Sequence, residues 1–160
     1  MEFTRQGLTA GGFSGFITVR ELYAGKINDL PKSPGVYVVL REAAALPTYL
    51  ERNPSGHWKG KDPTVSPTEL ASRWVATAQT IYIGSLDTLQ TKLRHYIEFG
   101  RGGEIAYWNG RLVWQVEGAL EFVVAWRECA TLVVALEVQS ALLREFYSAY
   151  GKLPFANLRF

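Results

Sequence analysis

The sequence predicts an α/β (α+β) domain in which helices flank a small, mainly antiparallel β-sheet of three or more strands. Two short runs rich in Val, Ile and Tyr, at 35–41 and 80–85, are typical of buried strands. Two longer stretches, 87–99 and 132–150, carry apolar residues at helical spacing and are followed by glycine. At 160 residues the chain is expected to form one domain.

Composition indicates a globular protein and leaves the partner open. Hydrophobic residues make up 48% of the chain and charged residues 20%, which excludes a disordered or fibrous protein. Seventeen basic and fifteen acidic residues give a net charge of +2. This balance neither requires nor excludes nucleic acid, so any basic binding surface must be local.

Cysteine and histidine usage argues against two kinds of structural site. Cys129 is the only cysteine, so no intrachain disulfide forms and a reducing compartment is expected. With His57 and His95 as the only histidines, a structural zinc site is not expected. Neither a signal peptide nor an apolar run of membrane-spanning length is found, so the expected location is cytoplasmic, with no membrane partner.

The N-terminal half is expected to contain one strong strand and a long insertion. Residues 1–34 are interpreted as a Gly-rich N-terminal extension, and GVYVVLR at 35–41 as the first strand. Segment 42–79, which holds four prolines, is predicted to be mainly loop. A short helix over 67–73 is predicted within it, because Ser66 is a suitable N-cap and proline suits the first helical position.

The C-terminal half is expected to supply the second motif strand, two helices and an extra hairpin. Asn109-Gly110 is typical of a type I′ hairpin turn, because both residues tolerate positive φ. Gly151 is expected to end the last helix. The predicted elements are a strand at 80–85, a helix at 87–99, strands at 112–116 and 120–126, and a helix at 132–150.

Glu137 is the only charged residue between Glu128 and Arg144, on an otherwise apolar helix. An ionised carboxylate is costly to bury without a partner. Glu137 therefore lies either on the solvent side of the helix with Gln139 and Ser140, or serves as a ligand for a hard cation such as Mg²⁺.

Aromatic and basic residues cluster around the second strand and the helix that follows it. Tyr37 and Tyr82 lie inside predicted strands, either as core aromatics or as hydroxyls that orient or deprotonate water in a cleft. Lys92 and Tyr96 are four apart and share one side of a helix. Lys92 is either solvated or able to reach a phosphate from the rim of the core.

Four short motifs resemble those of the GIY-YIG nuclease family. This family includes intron-encoded homing endonucleases, some restriction enzymes and the incision subunit of bacterial nucleotide-excision repair. The order of the motifs along most of the chain makes the resemblance more specific than any single motif. The motifs are GVY at 35–37, YIG at 82–84, LxxKLxxY at 89–96, and Glu137 followed by LPFAN at 153–157.

The resemblance implies a metal-dependent endonuclease that hydrolyses phosphodiester bonds with water as the nucleophile. It implies one Mg²⁺ (or Mn²⁺) ion bound by Glu137, with Tyr37 activating or positioning the water and Tyr82 lining the same site. Because a phenol of pKa about 10 is a poor base without a nearby cation, the metal and Tyr37 are expected to be close together. The family's helix arginine falls on Lys92, its His or Tyr on Tyr96, and its terminal asparagine on Asn157.

Two departures from the family pattern affect the expected activity. Lys92 supplies a point charge where arginine would supply a bidentate fork, and Arg94 is turned about 200° from it along the helix. The insertion between the motif strands contains HWKGK, which is either a solvated loop packed by tryptophan or a surface that contacts the nucleic-acid backbone and stacks on bases. Candidate substrate contacts are therefore His57, Lys59, Lys61 and Arg94.

Three functional hypotheses follow from the sequence. The first is the endonuclease, with double-stranded DNA favoured over RNA as the partner. The second is a nucleic-acid-binding module that keeps the fold and has lost efficient cleavage, suggested by the exchange at Lys92. The third is a protein-interaction subunit with a Trp-rich surface. No separate DNA-reading domain fits in 160 residues, so specificity would come from the insertion, a homodimer or a larger complex.

Overall fold

A four-stranded antiparallel β-sheet forms the centre of the computed structural model, which describes residues 1–104 and 107–160. The strand order is β1-β4-β2-β3, and every neighbouring pair is antiparallel. The sheet has β1 and β3 at its two edges. The strands are β1 Ser14–Thr18, β2 Gly35–Leu40, β3 Thr80–Leu86 and β4 Val123–Glu128.

Helices cover both faces of this sheet. The 3₁₀ helices in the described residues are Lys26–Asp29, Arg111–Gln115 and Ala119–Glu121. The α-helices there are α1 Arg5–Ala10, α2 Val19–Tyr23, α3 Pro67–Arg73, α4 Leu89–Gly100 and α5 Leu132–Tyr150. None of these helices combines the length and apolar character needed to cross a membrane.

The side chains of β2 alternate between two hydrophobic cores. Tyr37 and Val39 lie in a core shared with α2, α4 and the 3₁₀ helix Arg111–Gln115. Val36 and Val38 point to the other face, where α1 and α5 pack. All six residues of β2 are buried, as expected for a central strand covered on both sides. The mixed α+β architecture with helices flanking an antiparallel sheet is therefore confirmed.

Local sequence signals determine the helix ends that were predicted. Ser66 Oγ accepts a hydrogen bond from the Glu69 amide, and α3 begins at proline. Thr131 caps α5 in the same way, through the amide of Val134. Gly151 ends α5 with a left-handed φ of 70°.

The predicted extra hairpin does not form. A type I′ turn needs positive φ at both central residues, and of Asn109-Gly110 only the glycine has it. Residues 112–116 are not a strand but belong mostly to the 3₁₀ helix Arg111–Gln115, whose apolar side chains are buried in the core. Segment 120–126 likewise begins in a 3₁₀ helix, and β4 starts at Val123.

The N-terminal 34 residues are an integral part of the domain and not merely an extension. Their strand β1 pairs with β4 and supplies the fourth strand of the sheet. Phe3 and Leu8 are fully buried against α5. The sequence signal was weak because β1 contains glycine and its partner strand lies about a hundred residues further along the chain.

Gly84→Ala is expected to destabilise the protein by about 3 kcal/mol, which lowers the melting temperature by roughly 6–12 °C. Gly84 pairs with Tyr37 across β2 and β3, and an added Cβ would lie 2.5 Å from Tyr37 Cε1. Thermal denaturation followed by circular dichroism measures the effect. The cost of the alanine should shrink in a Tyr37→Leu background, and an undiminished cost there would show that the ring is not its cause.

Candidate functional site

Tyr37, Tyr82 and Tyr96 meet in one aromatic cluster. They belong to β2, β3 and α4, and their ring centroids are 5.7, 5.8 and 6.1 Å apart. All three side chains are buried. The structure therefore brings together three of the residues singled out in the sequence, although in the core and not in an open cleft.

Burial governs the chemistry of this cluster. It raises the pKa of Tyr37 well above its ordinary value, and the neighbouring tyrosines raise it further. Burial also raises the pKa of Tyr82 and of Tyr96. Tyr96 donates a hydrogen bond to the Gly110 carbonyl at 2.9 Å, whereas the Tyr37 hydroxyl has no hydrogen-bond partner in the described residues. All three phenols therefore remain protonated at neutral pH.

Asn157 covers the outer edge of β3. Its Oδ1 accepts a hydrogen bond from the Ile83 amide at 2.9 Å, and its Nδ2 donates to the Ile83 carbonyl at 2.8 Å. Next to it, the Ala156 amide donates to the Ile81 carbonyl at 2.9 Å. Because edge strands expose unpaired backbone groups, this C-terminal segment completes the sheet. Asn157 thus holds the C-terminal segment against β3 through both groups of its side-chain amide.

Gln139, and not Glu137, is the polar residue of α5 that contacts β3. Its Oε1 accepts from Ser85 Oγ at 2.5 Å, and its Nε2 donates to the Ile83 carbonyl at 3.2 Å. Glu137 is exposed, and two residues along a helix correspond to a rotation of about 200°. The structure therefore turns Glu137 away from β3 and does not bring it to Tyr37, contrary to the sequence-based expectation.

The packing of α5 explains this orientation. The residues that α5 buries against the sheet fall on one side of the helix, and Gln139 lies within that side while Glu137 lies opposite it. Glu137 therefore lies on the solvent side of the helix, which was one of the two alternatives predicted from the sequence. Gln139, which was predicted to lie on the solvent side with it, does not. The buried residues of α5 are Ala135, Leu142, Leu143 and Phe146.

A groove of about 590 Å³ lies where β3, α5 and the C-terminal segment meet. Its lining includes Tyr82, Asn109, Arg111, Gln139 and Arg159. None of the residues lining it is Asp or Glu. The groove therefore combines two cations with amide and hydroxyl groups, without an Asp or Glu side chain to oppose an anion.

The donors present in the groove do not fit a hard divalent cation. Mg²⁺ prefers carboxylate oxygens, and the amides of Gln139 and Asn157 already bond to Ser85 or to the backbone of Ile83. Within residues 1–104 and 107–160, no group of three or more His, Cys, Asp or Glu could hold a metal ion. A single-ion site formed by Glu137 and Tyr37 is therefore not assembled.

Lys92 and Arg94 also lie outside the groove. The half-buried Lys92 side chain forms no ion pair or hydrogen bond within the described part of the chain. Arg94 donates to Asn28 Oδ1 at 2.9 Å, on the N-terminal segment. The helical rotation predicted between these two residues agrees with their different surroundings.

The insertion folds back so that its basic segment approaches the groove. The Trp58 ring packs on Trp108 with centroids 5.8 Å apart. Lys59 and Lys61 approach the Trp58 ring, and Arg111 lies over Trp108 at 4.3 Å. His57, the remaining candidate of this loop, is exposed.

Sequence reasoning missed four groove residues that the functional argument uses, Trp108, Arg111, Gln139 and Arg159. Trp108 and Arg111 flank Asn109-Gly110, which was interpreted as a hairpin turn, and Gln139 was interpreted as a solvated residue. Their aromatic, cationic and amide side chains were the signal that the sequence offered for a binding site. Only the tertiary structure shows that these residues share one groove.

Comparison with known proteins does not assign the chain to a family. No family model, no curated protein and no solved structure matches it. The functional proposal below therefore depends on the geometry of the groove and on the motif resemblance.

Proposed function

We propose that this protein is a nucleic-acid-binding module with a GIY-YIG-like fold that lacks efficient metal-dependent cleavage. The observation that carries the proposal is the orientation of α5. An uncharged amide, Gln139, faces β3 and the groove, while the carboxylate of Glu137 faces away. A groove with arginines and no Asp or Glu side chain suits an anion better than a divalent cation.

The groove has the chemistry expected for a phosphate backbone. Arg111 and Arg159 offer planar guanidinium groups, which bind phosphate oxygens in a bidentate fashion. Burial lowers the pKa of Arg111, with the nearby charge of Arg73 adding to the effect, but arginine remains a cation at neutral pH. Its Nη1 donates to the Trp108 carbonyl at 3.2 Å, so its position is partly fixed before any ligand binds.

An endonuclease is the second candidate. The convergence of Tyr37, Tyr82 and Tyr96 favours it, because the resemblance implies that residues at these positions share one site. Asn157 accepts a hydrogen bond from β3, the strand that also carries Tyr82. Cleavage would still need a metal ligand that the described groove does not offer.

The double variant Arg111→Gln/Arg159→Gln is expected to bind nucleic acid roughly 10- to 50-fold more weakly than the wild type, because each removed phosphate contact costs about 1 kcal/mol. Glutamine at 111 keeps an N–H that can reach the Trp108 carbonyl. The loss of affinity therefore measures the removal of charge and not the loss of this hydrogen bond. Fluorescence anisotropy with labelled oligonucleotides, measured between about 50 and 200 mM salt, gives the affinity and its salt dependence.

Arg144→Gln is the matched control, because Arg144 is exposed on α5 and does not line the groove. It should change affinity little. Failure of the wild type to bind DNA or RNA oligonucleotides would overturn the proposal. Cleavage that requires Mg²⁺ or Mn²⁺ and disappears in Glu137→Ala would instead establish the endonuclease.

A further inference from the structure

Trp58 opens a tight turn that presents two lysines. The backbone groups of Trp58 and Lys61 bond reciprocally, at 3.1 and 2.9 Å. The two central residues, Lys59 and Gly60, have φ values of 50° and 74°. Glycine adopts such a φ freely, whereas in a lysine it costs on the order of 1 kcal/mol. The turn thus carries a charged side chain at a position where asparagine or glycine would be less strained.

Trp58 and Trp108 connect this turn to the groove. Their rings are tilted by 31°, and both side chains are half-buried. Trp108 lines the groove itself. We call Trp58, Trp108 and the cations beside them, Lys59, Lys61 and Arg111, the tryptophan ladder.

The cations of the ladder lie against aromatic rings. Lys59 Nζ is 4.7 Å and Lys61 Nζ 5.4 Å from the centre of the Trp58 ring. Both lysines are exposed, and neither forms an ion pair in the described residues. Their long, flexible side chains can therefore leave the ring for a phosphate at small cost.

We infer that the tryptophan ladder is a stacking site for unpaired bases, so that the protein prefers single-stranded to double-stranded nucleic acid. This inference rests on the proposed binding function. A base would stack on Trp58 while Lys59 and Lys61 move to the flanking phosphates, and the next phosphates would reach Arg111 in the groove. Stacking of a base on an aromatic side chain contributes about 1–3 kcal/mol, and a duplex hides its base faces from such contact.

The test compares a single strand of about 20 nucleotides with a duplex of equal length, by anisotropy at fixed salt. The wild type is expected to bind the single strand at least about tenfold more tightly. Trp58→Leu, which keeps an apolar side chain, should weaken single-strand binding by about tenfold and leave duplex binding unchanged. Trp58→Phe should retain most of the single-strand affinity.

Two controls separate stacking from charge and from misfolding. Lys59→Asn removes a charge and suits the positive φ at this position. It should therefore weaken binding of the single strand and of the duplex by similar small factors. A single strand without bases carries the same phosphates, and its binding should not respond to Trp58→Leu. Circular dichroism of each variant verifies that the fold is intact.

The outcomes distinguish this inference from the function on which it rests. Equal, salt-dependent binding of single strand and duplex, or an equal loss for both in Trp58→Leu, would overturn the stacking site and leave the binding function standing. Absence of binding to either polymer would overturn both.

Discussion

Raising the pH above about 10 is expected to unfold the protein, because the buried phenols of Tyr37, Tyr82 and Tyr96 resist ionisation in the folded state. Their raised pKa values mean that the unfolded chain loses protons that the folded protein keeps. Stability is therefore complete below pH about 10, the ordinary tyrosine pKa, and falls as the pH rises further.

The expected loss is large in comparison with the stability of a typical domain. Each tyrosine that is ionised only in the unfolded state lowers the free energy of unfolding by about 1.4 kcal/mol per pH unit. Burial also raises the pKa of Tyr23 and of Tyr107 to about 12. Five such tyrosines together lower the free energy of unfolding by about 7 kcal/mol per pH unit, against a total stability of about 5–15 kcal/mol. Unfolding should thus be complete within about one to three pH units above 10.

Urea denaturation between about pH 8 and 11 measures this slope, and absorbance near 295 nm follows the ionisation of tyrosine. Tyr37→Phe should reduce the slope by about one fifth and be neutral or stabilising at pH 7, because the Tyr37 hydroxyl has no hydrogen-bond partner in the described residues. The exposed Tyr147 provides the matched control, since Tyr147→Phe should leave the slope unchanged. The prediction would be contradicted if all the tyrosines ionised near pH 10 while the protein stayed folded.

The same burial limits what Tyr37 can do at neutral pH. A tyrosine acts as a base only when a cation lowers its pKa, and within the described part of the chain no cation lowers the pKa of Tyr37, Tyr82 or Tyr96. Tyr82 lines the groove, and Tyr37 and Tyr96 pack against it in the core. This role agrees with a module that binds nucleic acid without cleaving it efficiently.

Elements defined by local patterns could be predicted from the sequence. The strand at 80–85 is a short run of Ile and Tyr that is buried almost throughout. The long C-terminal helix has helical periodicity, begins after the N-cap Thr131 and ends at Gly151. The strand Ser14–Thr18 could not be predicted, because its pairing with Val123–Glu128 is decided across about a hundred residues. The apolar run at 112–116 was ambiguous, since burial alone does not distinguish a strand from a short helix.

The candidate site also has some features that local sequence patterns predict and others that only tertiary packing decides. The meeting of Tyr37, Tyr82 and Tyr96 follows from strand order and from a helix that begins beside the strand. The choice between Glu137 and Gln139 depends on which side of α5 packs against the sheet, and a lone charge in the sequence does not reveal this. The pairing of Trp58 with Trp108 is purely tertiary.

Gln139→Glu is expected to create a metal-dependent stability that the wild type lacks. Without metal, the variant should be less stable by about 1–3 kcal/mol, because it loses the N–H that donates to the Ile83 carbonyl and places a carboxylate near that oxygen. A divalent cation should offset this loss, since the groove then offers a carboxylate oxygen beside the Ser85 hydroxyl. At a Mn²⁺ concentration ten times the dissociation constant, the gain is about 1.4 kcal/mol, or roughly 3–6 °C in melting temperature.

Thermal denaturation with and without Mg²⁺ or Mn²⁺ tests this, with Glu137→Gln as the reciprocal control. Because Glu137 faces away from β3, Glu137→Gln should leave the melting temperature unchanged in either condition. Metal stabilisation of the wild type that vanishes in Glu137→Gln would mean that the carboxylate reaches a cation after all, and the endonuclease would become the better proposal. Stabilisation confined to Gln139→Glu would mean that one amide on α5 separates a binding groove from a metal site, and plasmid nicking by that variant would then show whether the tyrosine cluster can still support cleavage.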